Sequence, residues 1–152
     1  MEAKETITLI ASILGITFSA VALTVSVLNY LRDRARVKVL LEWDLWVTPN
    51  PTFDPTKQWG SITVTNVGRR PVFITKVAVK MPKGAHPRYL VILDSMPGQR
   101  LSEGDSPQVQ MVSQDDMRKV AHYWKRIRAV AFDSTGKEYQ SKPFKKPPSW
   151  AS

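Results

Sequence analysis

Residues Thr6 to Leu31 form an unbroken run of twenty-six residues without a charged side chain, closed by Glu5 on one side and Arg32 on the other. A helix rises about 1.5 Å per residue, and roughly 20 mostly apolar residues carry it across the hydrocarbon core of a bilayer. Ile, Leu, Val, Phe and Ala dominate the run. The 121 residues that follow are too few to wrap so long an apolar rod inside a soluble core. The run is therefore expected to be a single membrane-crossing helix at residues 6–31.

The flanks give this helix a direction. Before it, residues 1–5 carry Glu2, Lys4 and Glu5; after it come Arg32, Arg34, Arg36 and Lys38 with only Asp33 among them. Cations close to a span collect on the cytoplasmic side. This predicts a short extracytoplasmic N-terminus at residues 1–5, an inner (plasma) membrane location, and a cytoplasmic remainder. A cleaved secretory signal is disfavoured, because the basic leading segment is missing and the apolar run is too long.

Within the run, Thr8, Ser12, Gly15, Ser19, Ala22, Ser26 and Asn29 recur at spacings of 4, 3, 4, 3, 4 and 3. A 3.5-residue period keeps side chains on one seam of a left-handed helix pair. Small residues let two backbones approach closely in lipid, and hydroxyls or an amide can bond across the contact. The expectation is helix–helix association, with a second copy or with another membrane protein.

The remainder is basic. Residues 32–152 carry 21 of the 22 Lys and Arg and 11 of the 13 Asp and Glu. Next to an anionic leaflet such a surface is attracted by on the order of 1 kcal/mol per cation. The bilayer is thus the simplest partner, and nucleic acid, the rival explanation for the charge, is disfavoured. Residues 32–142 are long enough for one core-forming domain, and the chain has no cysteine.

Its pattern is that of short strands. Val37, Val39, Leu41, Trp43, Leu45 and Val47 alternate with Lys38, Leu40, Glu42, Asp44 and Trp46, a long period-two strand. A proline-rich loop over Asn50–Gln58 separates it from a strand at Trp59–Val67, and Gly68 is expected to take positive φ in the turn before Pro71. In Val72–Lys80 the apolar phase changes between Ile74 and Val77, which predicts a bulge near Thr75–Lys76. Further strands are expected at Tyr89–Leu93, Gln108–Val112, Ile127–Phe132 and Lys137–Lys142, the last two joined by the turn Asp133–Gly136. Ser95–Gly104 reads as turns, with Asp94, Glu103 and Asp105 as solvated loop acids. Ser113 is expected to cap a helix whose apolar face is Met117, Val120, Ala121 and Trp124. Residues 143–152 are a Pro/Lys-rich tail, expected to lie outside the sheets and to move freely.

Seven strands with turn signals between them predict a mainly β chain: a transmembrane helix, then an antiparallel β-sandwich with one short helix before the penultimate strand. A small closed β-barrel is the alternative. The run Ile62-Thr-Val-Thr-Asn-Val-Gly-Arg-Arg-Pro-Val-Phe-Ile74 resembles the second and third strands of bacterial immunoglobulin-like domains, and Ala129-Val-Ala-Phe-Asp-Ser-Thr-Gly136 is similar to their final hairpin. The cysteine pair of antibody-type domains is missing. The resemblance implies a binding or spacing module and no particular chemistry.

The chemistry itself is sparse. There is no phosphate loop and no dinucleotide fingerprint, and the two histidines, His86 and His122, lie in different elements. Asp115, Asp116 and His122 are better explained as helix-start charges and a surface ring than as metal ligands. No catalytic residue, metal or cofactor is expected. What remains is cationic. Arg118, Lys119, Lys125, Arg126 and Arg128, joined by Arg69 and Arg70, are the first candidates for anion or lipid contact. Arg32, Arg34 and Arg36 beside the span form another group, and Lys142, Lys145 and Lys146, next to Phe144 and Trp150, a third. Trp43, Trp59 and Trp124 are expected in the core. Two functions fit. One is a non-enzymatic membrane-anchored interaction module or accessory subunit that binds a protein partner; the other is an effector that senses a nucleotide or other anion.

Overall fold

A computed structural model of the chain describes residues 2–48, 51–92 and 98–151. The expected residues Pro49, Asn50, Leu93, Asp94 and Ser95 lie outside them. The chain divides into two units, Met1–Arg34 and Ala35–Ser152.

The first unit is one helix, α1, Glu2–Arg32. Its stretch Ala3–Arg32 is long and apolar enough to cross a membrane, and none of its most apolar window is buried by protein. The hydroxyls are used within the helix. Thr8 donates to the Lys4 carbonyl, Ser12 to Thr8, Thr17 to Ile13, Ser19 to Gly15 and Thr24 to Ala20, at 2.8–2.9 Å. Such bonds remove the cost of an unpaired hydroxyl in an apolar medium.

Among its described residues the second unit contains eight strands: β1 Val37–Trp46, β2 Gln58–Asn66, β3 Val72–Lys80, β4 Tyr89–Val91, β5 Gln99–Leu101, β6 Gln108–Ser113, β7 Arg128–Asp133 and β8 Glu138–Gln140. All their pairings are antiparallel. One sheet runs β1-β2-β6; the other runs β4-β3-β7-β8, with β5 also on β3. The sheets stay open and do not close into a barrel. First, second and sixth strands on one side, third, seventh and eighth on the other, is the strand order of an immunoglobulin-type sandwich.

Inward residues of both sheets make one core. Val39, Leu41, Ile62 and Val64 come from the first sheet, and Ile74, Val77, Val79, Ala129 and Ala131 from the second. Each large aliphatic side chain so buried contributes roughly 1.5–3 kcal/mol relative to exposure. The period-two pattern of β1 holds, with its even-numbered residues exposed. The bulge in β3 is also present: the register slips between Ile74 and Lys76, and both Ile74 and Val77 are buried.

Five local expectations are corrected. Gly68 is not among the glycines with positive φ. The turn is held instead by the Asn66 side chain, which donates to the carbonyls of Arg70 and Leu101 and accepts from the Gly68 N–H. The turn-rich segment contains a short strand, β5, paired with β3 through Val72, Phe73 and Ile74. Ser113 ends β6, and Gln114 occupies the cap position without a capping bond. The segment Asp115–Arg126 is 3-10 helix with a break at Val120 rather than one α-helix, and of its apolar residues only Met117 is fully buried.

The fifth correction concerns the tail, which is docked. Trp150 is 6% exposed and belongs to the core, and Phe144 packs against it. The Trp150 ring meets Trp43 edge-on at 5.2 Å. Ser149 donates its N–H and hydroxyl to the Asp44 carboxylate. The tail stays out of the ladders, as expected of its prolines, but Trp150, Phe144 and Ser149 together fix it to the domain.

Candidate functional site

Two ends of the sandwich can be distinguished by following the strands. At the end where the chain enters, Val37 pairs with Asn66, and the Val67 N–H donates to the Arg36 carbonyl at 2.7 Å. Arg36 therefore lies beside the turn that carries Arg69 and Arg70, all exposed, with Val67 exposed between them. Sequence separated these residues by over thirty positions; the β1–β2 pairing brings them together.

At the other end, Lys80 closes β3 and Arg128 opens β7 as its paired neighbour. Arg118, Lys119, Lys125 and Arg126 lie on the 3-10 segment that leads into β7. The strand directions thus put Arg69 and Arg70 at the opposite end from these cations, and the structure does not gather them into one patch. Arg118 is also engaged, reaching Asp115 at 3.9 Å, which Lys57 contacts at 3.1 Å.

Of the sequence candidates, Arg126 and Arg128 share a concavity. It is a depression of about 330 Å³ lined also by Lys80, Lys83, Arg88, Met81, Pro82 and Gln140. Lys80, Lys83 and Arg88 escaped the sequence analysis because they stand in a strand end and a loop, far from any run of charge. The signal available was the β3–loop–β4 connection, whose ends are tied by the Met81 N–H donating to the Arg88 carbonyl at 2.8 Å.

Arg128 is the most constrained cation. One guanidinium nitrogen donates to the carbonyls of Lys125 and Ile127, both at 2.7 Å. Burial pulls its pKa below the ordinary guanidinium value. Lys80 is held by an ion pair with Glu138, in which both side chains are about one-fifth exposed. Among the described residues the ion pairs involve Lys57, Lys80 and Arg118, and none uses Lys83, Arg88, Arg126 or Arg128.

The remaining candidates fall elsewhere. Lys145 and Lys146 are exposed, but the rings that flank them, Phe144 and Trp150, face the core and are not free to enter a lipid interface. Arg32 and Arg34 belong to the first unit, where the Arg34 guanidinium lies 5.2 Å from the Tyr30 ring. On the helix seam, Ser12 and Ser19 are bonded to their own carbonyls, and Gly15 has open space where a side chain would stand. Among the described residues no three His, Asp or Glu side chains come together as a metal would require.

No protein-family description matches the sequence, and no curated protein matches it. One solved structure, described as "X-ray structure of Northeast Structural Genomics Consortium target SoR45", aligns over 75% of this chain and 86% of its own, at 13% identity and a TM-score of 0.29.

Proposed function

We propose that this chain is a single-pass membrane protein whose helix holds a basic immunoglobulin-like domain at the cytoplasmic face of the inner membrane. There the domain acts as a non-enzymatic interaction module or accessory subunit for a protein partner. The observation that carries this is the helix: thirty apolar-rich residues, Ala3–Arg32, with no part of their most apolar window covered by protein. So much apolar surface is stable only in lipid or against other helices. The juxtamembrane cations Arg32, Arg34 and Arg36 favour the orientation with the domain in the cytoplasm. Arg69 and Arg70, beside Arg36 at the end where the chain enters, suit an anionic leaflet.

The seam Ser12, Gly15, Ser19, Ala22, Ser26 and Asn29 supports self-association or pairing with another membrane helix. With most of its hydroxyls bonded internally, close backbone packing at Gly15 and Ala22 would be the attractive force rather than a ladder of interhelical hydrogen bonds. Crosslinking and mass spectrometry of the full-length protein in native membranes tests the proposal. A consistent second protein linked to the β-domain supports an accessory subunit. Self-links confined to the helix support a homo-oligomeric anchor and remove the protein partner.

A further inference from the structure

We infer that the depression between the β3 end, the following loop and the start of β7 is a binding site for a phosphate group. Five of its eight lining residues, Lys80, Lys83, Arg88, Arg126 and Arg128, are cations, and none is an acid. They arrive from four separate elements, so the fold, not a local run of sequence, concentrates them. Like charges held around one concavity repel one another, and a compact polyanion relieves that repulsion.

The donors are also arranged in advance. Arg128 is half-buried and pinned through one nitrogen to two carbonyls, which leaves its other N–H groups fixed in direction. Lys80 is held by Glu138, whose carboxylate also accepts from the Gln140 amide at 2.7 Å and from the Tyr89 hydroxyl at 3.5 Å. The Arg88 guanidinium and the Lys80 ammonium lie 5.7 and 5.8 Å from the Tyr89 ring centre. Guanidinium forks together with a point ammonium match the several oxygens of a phosphate better than the two of a carboxylate. Donors that do not have to be ordered on binding lose less entropy. A volume of about 330 Å³ accommodates one phosphate or a diphosphate.

The same chemistry is offered by a lipid phosphomonoester headgroup and by a free phosphate compound, and native mass spectrometry of the detergent-solubilised full chain separates them. One arm adds inorganic pyrophosphate; the other adds phosphatidate, with phosphatidylcholine as the neutral reference. One adduct per chain is expected, weakened about tenfold or more in the double variant Arg88→Ala/Arg126→Ala. Both positions are exposed, so the fold survives the change, and Arg69→Ala/Arg70→Ala at the far end serves as a charge-matched control with less than about a twofold effect. A pyrophosphate adduct with this pattern supports a soluble phosphate ligand, and a phosphatidate adduct alone supports a headgroup. No adduct in either arm overturns the site, as does equal loss in the two double variants. Neither outcome depends on membrane orientation or on a protein partner.

Discussion

Gly60 in β2 lies against the indole of Trp43 in β1, so close that a Cβ on Gly60 would come within 2.2 Å of a ring carbon. The pair sits at the bulge where Glu42 matches Ser61 and Leu45 matches Trp59, leaving Trp43 and Asp44 together opposite Gly60. Asp44 takes φ 63° there, uncommon for a residue with a side chain. Its carboxylate then receives Ser149, and Trp43 receives the Trp150 ring. One bulge thus builds the seat for the tail.

Gly60→Ala should destabilise the domain by about 1–3 kcal/mol, because the ring has to move and Trp150 packs against it. Thermal unfolding of the detergent-solubilised protein measures this. Trp43→Leu in the same chain should recover part of the loss, as expected of two residues in contact.

Trp150→Ala should cost about 3 kcal/mol, the range for deleting a buried large aromatic. It should also open the tail to proteases near Lys145 and Lys146. An unchanged midpoint would mean that the tail contributes nothing to the fold.

Asp133 anchors the β7–β8 turn: its carboxylate accepts from the Thr135 N–H and hydroxyl, the Lys137 N–H and the Tyr139 hydroxyl. Burial works to raise its pKa, but these bonds outweigh burial and hold it below the ordinary value of 3.8. With the folded pKa below the unfolded one, its stabilising share is complete above the ordinary carboxylate range and is lost as pH falls through the folded value. Asp133→Asn should lower stability at neutral pH and flatten the acid limb of a pH–stability curve.

Tyr139 behaves with the opposite sign. Burial, then the bond to Asp133 and its charge, push the phenol up to about 12. Its contribution is complete below the ordinary value of 10.0 and is lost as pH rises through about 12. Tyr139→Phe should remove that alkaline loss, read from denaturant midpoints between pH 9 and 12.

Gly15→Leu and Ser19→Leu should weaken association in a membrane two-hybrid assay while leaving insertion intact, since both add apolar bulk to the seam. Unchanged association would remove the seam from the account.

What sequence could and could not disclose follows from how far each determinant reaches. The span and the alternation in β1 are local patterns, legible without a partner, and so is the phase change that marks the bulge in β3. The bulge in β1 was not legible, because both parities of that strand stay in phase and only the β2 register discloses it. Prolines in the tail signal exclusion from a ladder, yet docking of Trp150 depends on a cavity beside Trp43 made by other elements. The basic pocket is the same kind of case. Arg126 and Arg128 stand in a visible run of charge, but Lys80 joins them through strand pairing and Arg88 through a closed loop.

The most direct test of the account is the topology of the helix, measured by cysteine accessibility in a chain that has no cysteine of its own. Single variants Glu5→Cys and Ser134→Cys, both exposed, would be probed with an impermeant maleimide in sealed spheroplasts and in inverted inner-membrane vesicles. A spanning helix with a cytoplasmic domain predicts labelling of position 5 only in spheroplasts and of position 134 only in inverted vesicles. Labelling of both positions from the same side would contradict it, and the account would fall with the span.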